Sequence, residues 1–451
     1  MTRRAPLRGD ELPEIVVPPP GPRSLAAAKR LRRVEGAAIW GADSGPIVWA
    51  RAQGSVVEDL DGNRYIDLTS GFGAATLGHA APDVARAVAS QARKLTQGLG
   101  DIHPHAAREK LVRRLSGLGG ALSRVLLAST GSEAVELALK TAALATGRRR
   151  VVAFEGGYHG QSGAALEVTH FPASPDLMKP AGPPRAIHIP FPDPARCAVH
   201  SPCARCDLAC LDRGWERVER ECRGPDPPGA VIVEPIQGRA GVIIPPVEFL
   251  FRLREKARAA GMLVIYDEIL TGAGRTGTFW AWERSGPAAE PDLMVAGKGL
   301  GGGVAIGALF GKSAIMDAWK RHVPASGESP YASTFYAHPL ACAGTLAAVE
   351  RLTSAEIGES VRNIGRVLES ELPGSAIGPP RVLGAMAGVD LTIPAAANQL
   401  VGPLFLRLMS RGILALPGGL TGSTLSLLPA FTIQESQLRH ALGEVSTQIR
   451  S

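Results

Sequence analysis

Residues 247–268, VEFLFRLREKARAAGMLVIYDE, decide the fold. Val247–Ala260 carries apolar residues at helical spacing and is stopped by Gly261. The short apolar run Leu263–Tyr266 follows at once and ends in the acids Asp267 and Glu268. A second apolar run, Ala230–Val233, precedes the helix. Two buried strands joined by a helix make a parallel crossover unit.

The same rhythm extends in both directions. Val125–Leu127, Val151–Phe154, Leu293–Ala296 and Ala305–Phe310 read as further strands, and Ser132–Thr146 as a helix ended by Gly147. An α/β fold follows, with a mostly parallel sheet covered on both faces by helices. Residues 172–226 are rich in Pro, Cys and charge and read as an excursion from that sheet. Beyond Thr345 the pattern turns α+β, with helices near Leu346–Leu352 and Val361–Glu371 and strands near Val389–Ile393 and Leu425–Leu428. Residues 37–69 read as hairpin strands around the turn Asp61-Gly62-Asn63, expected to pack with the C-terminal lobe. The expected division is an N-terminal arm (1–34), the N-terminal part of a small domain (35–75), a large domain (76–344) and the C-terminal small domain (345–451).

Composition narrows the function. The 451 residues are too many for one small core. Apolar residues at 45% and charged residues at 20% are ordinary for a globular chain. Net charge is +7, but the arginines are scattered and no basic run interleaves with aromatics, so nucleic acid is not the expected partner. A mild positive field suits anionic substrates or cofactors. No run is long and apolar enough to span a membrane, and residues 1–22 form a Pro-rich arm rather than a signal, so a reducing cytoplasm is expected. Of the six cysteines, Cys197, Cys203, Cys206 and Cys210 crowd together. Their spacing is not that of a common zinc ribbon, and thiols rather than a metal site are the default expectation.

Four groups fall at the expected strand ends, where α/β sheets gather ligands. Ser129-Thr130-Gly131-Ser132-Glu133 opens a helix, whose N-terminal amides can cradle an anion; the same residues also read as a capping box. Tyr158-His159-Gly160 places an aromatic in a glycine-rich loop, where it can stack on a flat heterocycle. Asp267 ends a buried strand and needs a partner, such as a protonated pyridine nitrogen. Lys298, in Ala296-Gly297-Lys298-Gly299-Leu300-Gly301-Gly302-Gly303, adjoins an apolar strand. Desolvation there makes a nucleophilic amine suited to a Schiff base. The spacing of a P-loop is absent.

With these blocks in order, the chain resembles the class III (omega-type) aminotransferases. Val233-Glu234-Pro235-Ile236-Gln237-Gly238, Gly274-Arg275-Thr276-Gly277 and Ser333-Thr334-Phe335 with His338-Pro339 also match, over about residue 35 to the end. The resemblance implies a fold type I transferase using pyridoxal 5'-phosphate (PLP). It implies a homodimer with shared active sites, moving an amino group from a primary amine to a keto acid or aldehyde through an internal aldimine on Lys298. It further implies that Gly131 and Ser132 bind the phosphate and that Thr334 reaches the neighbouring subunit's cofactor. Tyr158 then stacks on the ring and Asp267 pairs with its nitrogen. A racemase or epimerase on the same scaffold is the alternative.

Two positions depart from the family pattern. Leu270 stands where many members place Gln, and Ser426 where many place the Arg that binds a substrate carboxylate and pairs with the Glu of the Glu-Pro block. Glu234, left without that cation, is expected to suit a substrate with a second ammonium: a diamine, polyamine or amino sugar. Trp40, Phe72 and Leu416–Ser423 are the expected shapers of the pocket, Phe72 as a substrate contact.

Overall fold

A computed structural model describes residues 6–36, 46–171, 185–197, 206–375, 378–391 and 401–450. Its largest sheet has seven strands, in the order Arg124–Ala128, Gly307–Gly311, Leu293–Gly297, Leu263–Asp267, Ala230–Val233, Val151–Phe154 and Ala186–Ile189. Gly307–Gly311 runs antiparallel to both its neighbours, and the other pairs are parallel. The sheet is therefore mixed but mostly parallel, as the sequence implies.

Both faces of the sheet are buried, which is why its strands are unbroken apolar runs. Val231, Val233, Val264, Tyr266, Met294 and Ala296 join one core, together with Phe249, Leu250, Leu253 and Ala257 of the helix Phe249–Ala259. Their alternates Ala230, Ile232, Ile265, Leu293 and Val295 join a second core under the helix Gly131–Thr146. Full burial of each large aliphatic side chain is worth about 1.5–3 kcal/mol, so the two cores are the main fixative of the strand ends. The helix Gly131–Thr146 has a definite start and stop. Thr130 accepts the amide of Glu133, and Gly147 closes the last turn in the left-handed region.

The N-terminal hairpin joins the C-terminal lobe. Trp49–Gln53, Val56–Asp59 and Arg64–Asp67 are antiparallel, and Ile413–Leu414 adds alongside Arg64–Asp67 in parallel. Oδ1 of Asp59 accepts the amides of Asp61, Gly62 and Asn63 and so fixes the turn. A separate antiparallel sheet, Arg381–Leu383, Met386–Asp390, Thr424–Leu427 and Leu416–Gly418, completes the C-terminal lobe.

One expectation needs correction. The segment read as an excursion supplies the edge strand Ala186–Ile189, paired in parallel with Val151–Phe154, and the helix Ala209–Cys222. The strand is only four residues long and lies between Pro-rich stretches, which hid its alternation. The helix buries Leu211, Trp215 and Val218 on one face. It also buries Cys210, whose thiol is pushed up to about 11 by loss of water and by nearby Cys206 and Cys197. Cys203 lies outside the described residues. Among the described residues no helix is long and apolar enough to cross a membrane.

Candidate active site

The carboxyl ends of the central strands converge, as the parallel sheet requires. Strand Leu263–Asp267 delivers Asp267, and the adjacent strand Leu293–Gly297 delivers Lys298 immediately after its end. The two strands pair in register, Asp267 opposite Val295. Strand Ala230–Val233 delivers Glu234, and Val151–Phe154 leads into the loop that carries Tyr158, His159 and Gly160.

Asp267 is buried and fully engaged. Its Oδ1 accepts the amide of Ile269 at 3.0 Å, and its Oδ2 lies 2.7 Å from Nδ1 of His159. A carboxylate accepts, so Nδ1 is the protonated ring nitrogen. The opposite nitrogen, Nε2 of His159, is buried with no hydrogen-bond partner among the described residues. The backbone amide of His159 donates to Oγ1 of Thr169, which locks the loop in place.

Glu234 is also buried, and both its oxygens are taken. The amide of Tyr158 donates to Oε1 at 2.9 Å and that of Gly238 to Oε2 at 3.1 Å. Burial pushes its carboxyl up to about 7; His159 opposes that shift and Asp267 reinforces it.

Lys298 has φ +40°, a left-handed backbone uncommon outside glycine and a mark of local strain. Its ammonium has a lowered pKa, first because burial disfavours the charge; Asp267 and Glu234 act against that shift. Oγ1 of Thr76 donates to the carbonyl of Gly299 and holds the turn that presents the lysine.

The helix beginning at Gly131 reaches the Tyr158 loop at Gly160. Its first-turn amides have no intrahelical acceptors. Oγ of Ser132 lies 2.5 Å from Oγ of Ser162. The capping reading also holds, because Glu133 accepts the amide of Ser129 while Thr130 accepts that of Glu133. Gly160, at φ +125°, passes so close that a Cβ there would lie 2.3 Å from Oγ of Ser132. Only glycine lets the Tyr158 loop reach the helix end.

A cavity of about 320 Å³ opens in front of Lys298. Tyr158 and Phe72 line it, and so do Leu270 and Ser426, the two departures from the family pattern. Asp267, Glu234, Gly131 and Ser132 stand behind this lining rather than in it. Thr334 is exposed, with its carbonyl accepting from Nε2 of Gln97, and does not line this cavity. Trp40 lies outside the described residues.

Sequence reasoning did not assign three neighbours. His159 is the partner of Asp267. Phe171 and Arg239 complete one wall, with the Arg239 guanidinium 4.5 Å from the ring centres of both Tyr158 and Phe171. Arg239 directly follows the matched block ending at Gly238, and that adjacency was the available signal.

Comparison with known proteins gives the family and the fold. The family model for class III aminotransferases matches residues 40–449. The 5-aminovalerate aminotransferase DavT of Pseudomonas aeruginosa is 33% identical over 415 residues, covering 88% of this chain and 92% of that protein. An alanine/serine racemase of Pyrococcus horikoshii is 30% identical, covering 98% and 93%. A thermostable four-fold mutant of an omega transaminase from Pseudomonas jessenii has the same fold, with a TM-score of 0.85 at 23% identity, covering 94% of this chain and 98% of that one.

Proposed function

The chain belongs to the class III aminotransferases, PLP-dependent enzymes, and on that footing we propose how its own residues divide the transfer of an amino group from a primary amine to a keto acid or aldehyde. The observation that carries the assignment is the pairing of Leu263–Asp267 with Leu293–Gly297, which sets a buried carboxylate beside a buried amine at one edge of the sheet.

Bound PLP supplies an electrophilic carbonyl and an electron-withdrawing ring, which together make the carbon bearing the amine acidic. The residues present fit such a group. The first-turn amides of Gly131 and Ser132, with the hydroxyls of Ser132 and Ser162, form a cradle of donors for a phosphate. Asp267, aligned by His159, would hold the ring nitrogen, and Tyr158 would cover the ring face.

Lys298 is the covalent anchor and the proton carrier in this reading. Burial weakens its hold on a proton, so Nζ can accept one from the substrate carbon and return it. Glu234 positions the loop through the amides of Tyr158 and Gly238. Phe72 closes the outer side of the cavity against substrate.

We further read the enzyme as a homodimer. Leu99, Ile102 and Phe335 are 59%, 66% and 57% exposed, apolar surface that a partner subunit would cover. The hydrogen bond from Gln97 to the Thr334 carbonyl ties this region together. A partner covering it could receive Thr334 at its own phosphate cradle. The thiols of Cys206, Cys210, Cys222 and Cys342 are free, which suits the cytoplasm.

The test is amino transfer by purified holoenzyme from a panel of primary amines to pyruvate or 2-oxoglutarate. Alanine or glutamate should form, and Lys298→Ala should form none. Transfer retained by Lys298→Ala overturns the assignment. Appearance of the mirror isomer from one enantiopure amino acid, without any keto acid, would favour the racemase instead.

A further inference from the structure

The cavity has a charge pattern that the sequence does not announce. Among its described lining residues only Lys298 and Arg239 are charged, and none is acidic. Glu234, the carboxylate expected to attract a second ammonium, is behind the wall with both oxygens already accepting backbone amides. A diamine would therefore meet a second cation rather than a carboxylate.

Arg239 is an unusual cation. Its guanidinium lies over both Tyr158 and Phe171, whose rings are edge to face at 6.1 Å. Among the described residues it makes no ion pair with a carboxylate. Stacking uses the two faces of a guanidinium and leaves its N–H edge available, in the fork geometry that matches a planar carboxylate. The segment carrying it is fixed from behind, because the Arg239 carbonyl accepts the amide of Gly419 at 2.9 Å. Ser426 stands on the same cavity's wall, where many family members carry arginine, and its Oγ is buried without a hydrogen-bond partner among the described residues.

We propose that Arg239 reads the carboxylate of the substrate, taking over from the arginine that Ser426 replaces. Val242, Leu270, Leu416 and Leu428 give the cavity apolar walls. An amine at Lys298, a short run of methylenes along these walls and a carboxylate at Arg239 satisfy every part of the lining. A rotation of Ser426 about χ1 turns its hydroxyl to the same carboxylate. This deepens the aminotransferase reading and rests on it for the position of the amine.

The experiment compares wild-type holoenzyme with Arg239→Gln and Arg239→Lys. Two donors of equal length are used, 5-aminopentanoate and pentylamine. Pentanoate, which has the carboxylate but no amine, is titrated separately by calorimetry. In Arg239→Gln the ratio of KM for the acid to KM for the amine should rise about 10- to 100-fold, the worth of a hydrogen bond to a charged group. Pentanoate affinity should fall by a similar factor, and Arg239→Lys should fall between. An unchanged KM ratio, or pentanoate binding that is absent in wild type or equal in Arg239→Gln, overturns the proposal. If wild type transfers nitrogen from no primary amine of the wider panel, the aminotransferase reading fails on its own and the pentanoate titration still decides the role of Arg239.

Discussion

His159 holds Asp267 through a 2.7 Å contact between Nδ1 and Oδ2, with both side chains withdrawn from water. A buried carboxylate without its donor loses about 1–3 kcal/mol. His159→Phe should therefore lower Tm and reduce kcat by about 10- to 100-fold, because Asp267 is left with only the amide of Ile269 to orient it. Thermal unfolding and steady-state kinetics on the variant check this. A kcat within about twofold of wild type would mean that the contact is structural only.

Lys298 is the amine beside that carboxylate. Borohydride reduction of the holoenzyme followed by peptide mapping should place a pyridoxyl group on Lys298. The reason is local: burial lowers its proton affinity while a left-handed backbone aims it at the cavity. A label on any other lysine would remove it from the chemistry. Asp267→Asn should keep the label but turn over far more slowly, since an amide cannot balance a protonated ring nitrogen.

Gly160 is the test of the phosphate cradle. A Cβ at this residue would stand 2.3 Å from Oγ and 2.8 Å from Cβ of Ser132, at a φ that side chains rarely adopt. Gly160→Ala should push the Tyr158 loop off the helix end and weaken PLP binding by at least about tenfold. Cofactor titration into apoenzyme measures it, and unchanged affinity would place the phosphate elsewhere.

The central strands were readable because most are unbroken apolar runs ended by Gly or by a charged residue, but their order in the sheet was not. That Asp267, Lys298 and Tyr158 gather at the strand ends was readable from their occurring together, in order, after apolar runs. Two kinds of feature were not. The edge strand Ala186–Ile189 is short, and its pairing with Val151–Phe154 is a tertiary fact. Arg239 and Phe171 are 68 positions apart, and nothing local says that one will lie over the other's ring. The fate of Glu234 was hidden for the same reason: its two donors, Tyr158 and Gly238, come from different loops.

Phe335 and Thr334 test the dimer. Phe335 is 57% exposed beside Thr334, whose carbonyl is held by Gln97. Phe335→Asp places a charge where a partner's apolar surface is expected and should shift sedimentation towards monomer. PLP affinity should fall with it. Thr334→Ala should weaken PLP binding without changing the dimer, because one donor to the phosphate is lost. A fully active monomer in the ultracentrifuge would refute the shared site.

Glu234 should give the protein a pH-dependent stability of a definite sign. Burial raises its folded pKa to about 7, whereas an unfolded glutamate titrates near about 4.3. Between these values the folded protein holds a proton that the unfolded chain has released. Stability therefore falls as pH rises through this window, and the favourable contribution is fully present only below it. The full span corresponds to on the order of 3 kcal/mol. Glu234→Gln stays neutral throughout, so it carries no such slope. Glutamine also presents an amide where Gly238 or Tyr158 needs an acceptor, which costs about 1 kcal/mol at every pH. The variant should thus be the less stable protein near about pH 4 and the more stable one near about pH 8. Glu268, pushed to about 7 by its own burial, tilts both curves equally and cancels in the difference. Tm measured across this range for both proteins decides the matter. Parallel curves would show that Glu234 keeps an ordinary carboxylate pKa, with the amides of Tyr158 and Gly238 compensating fully for its removal from water.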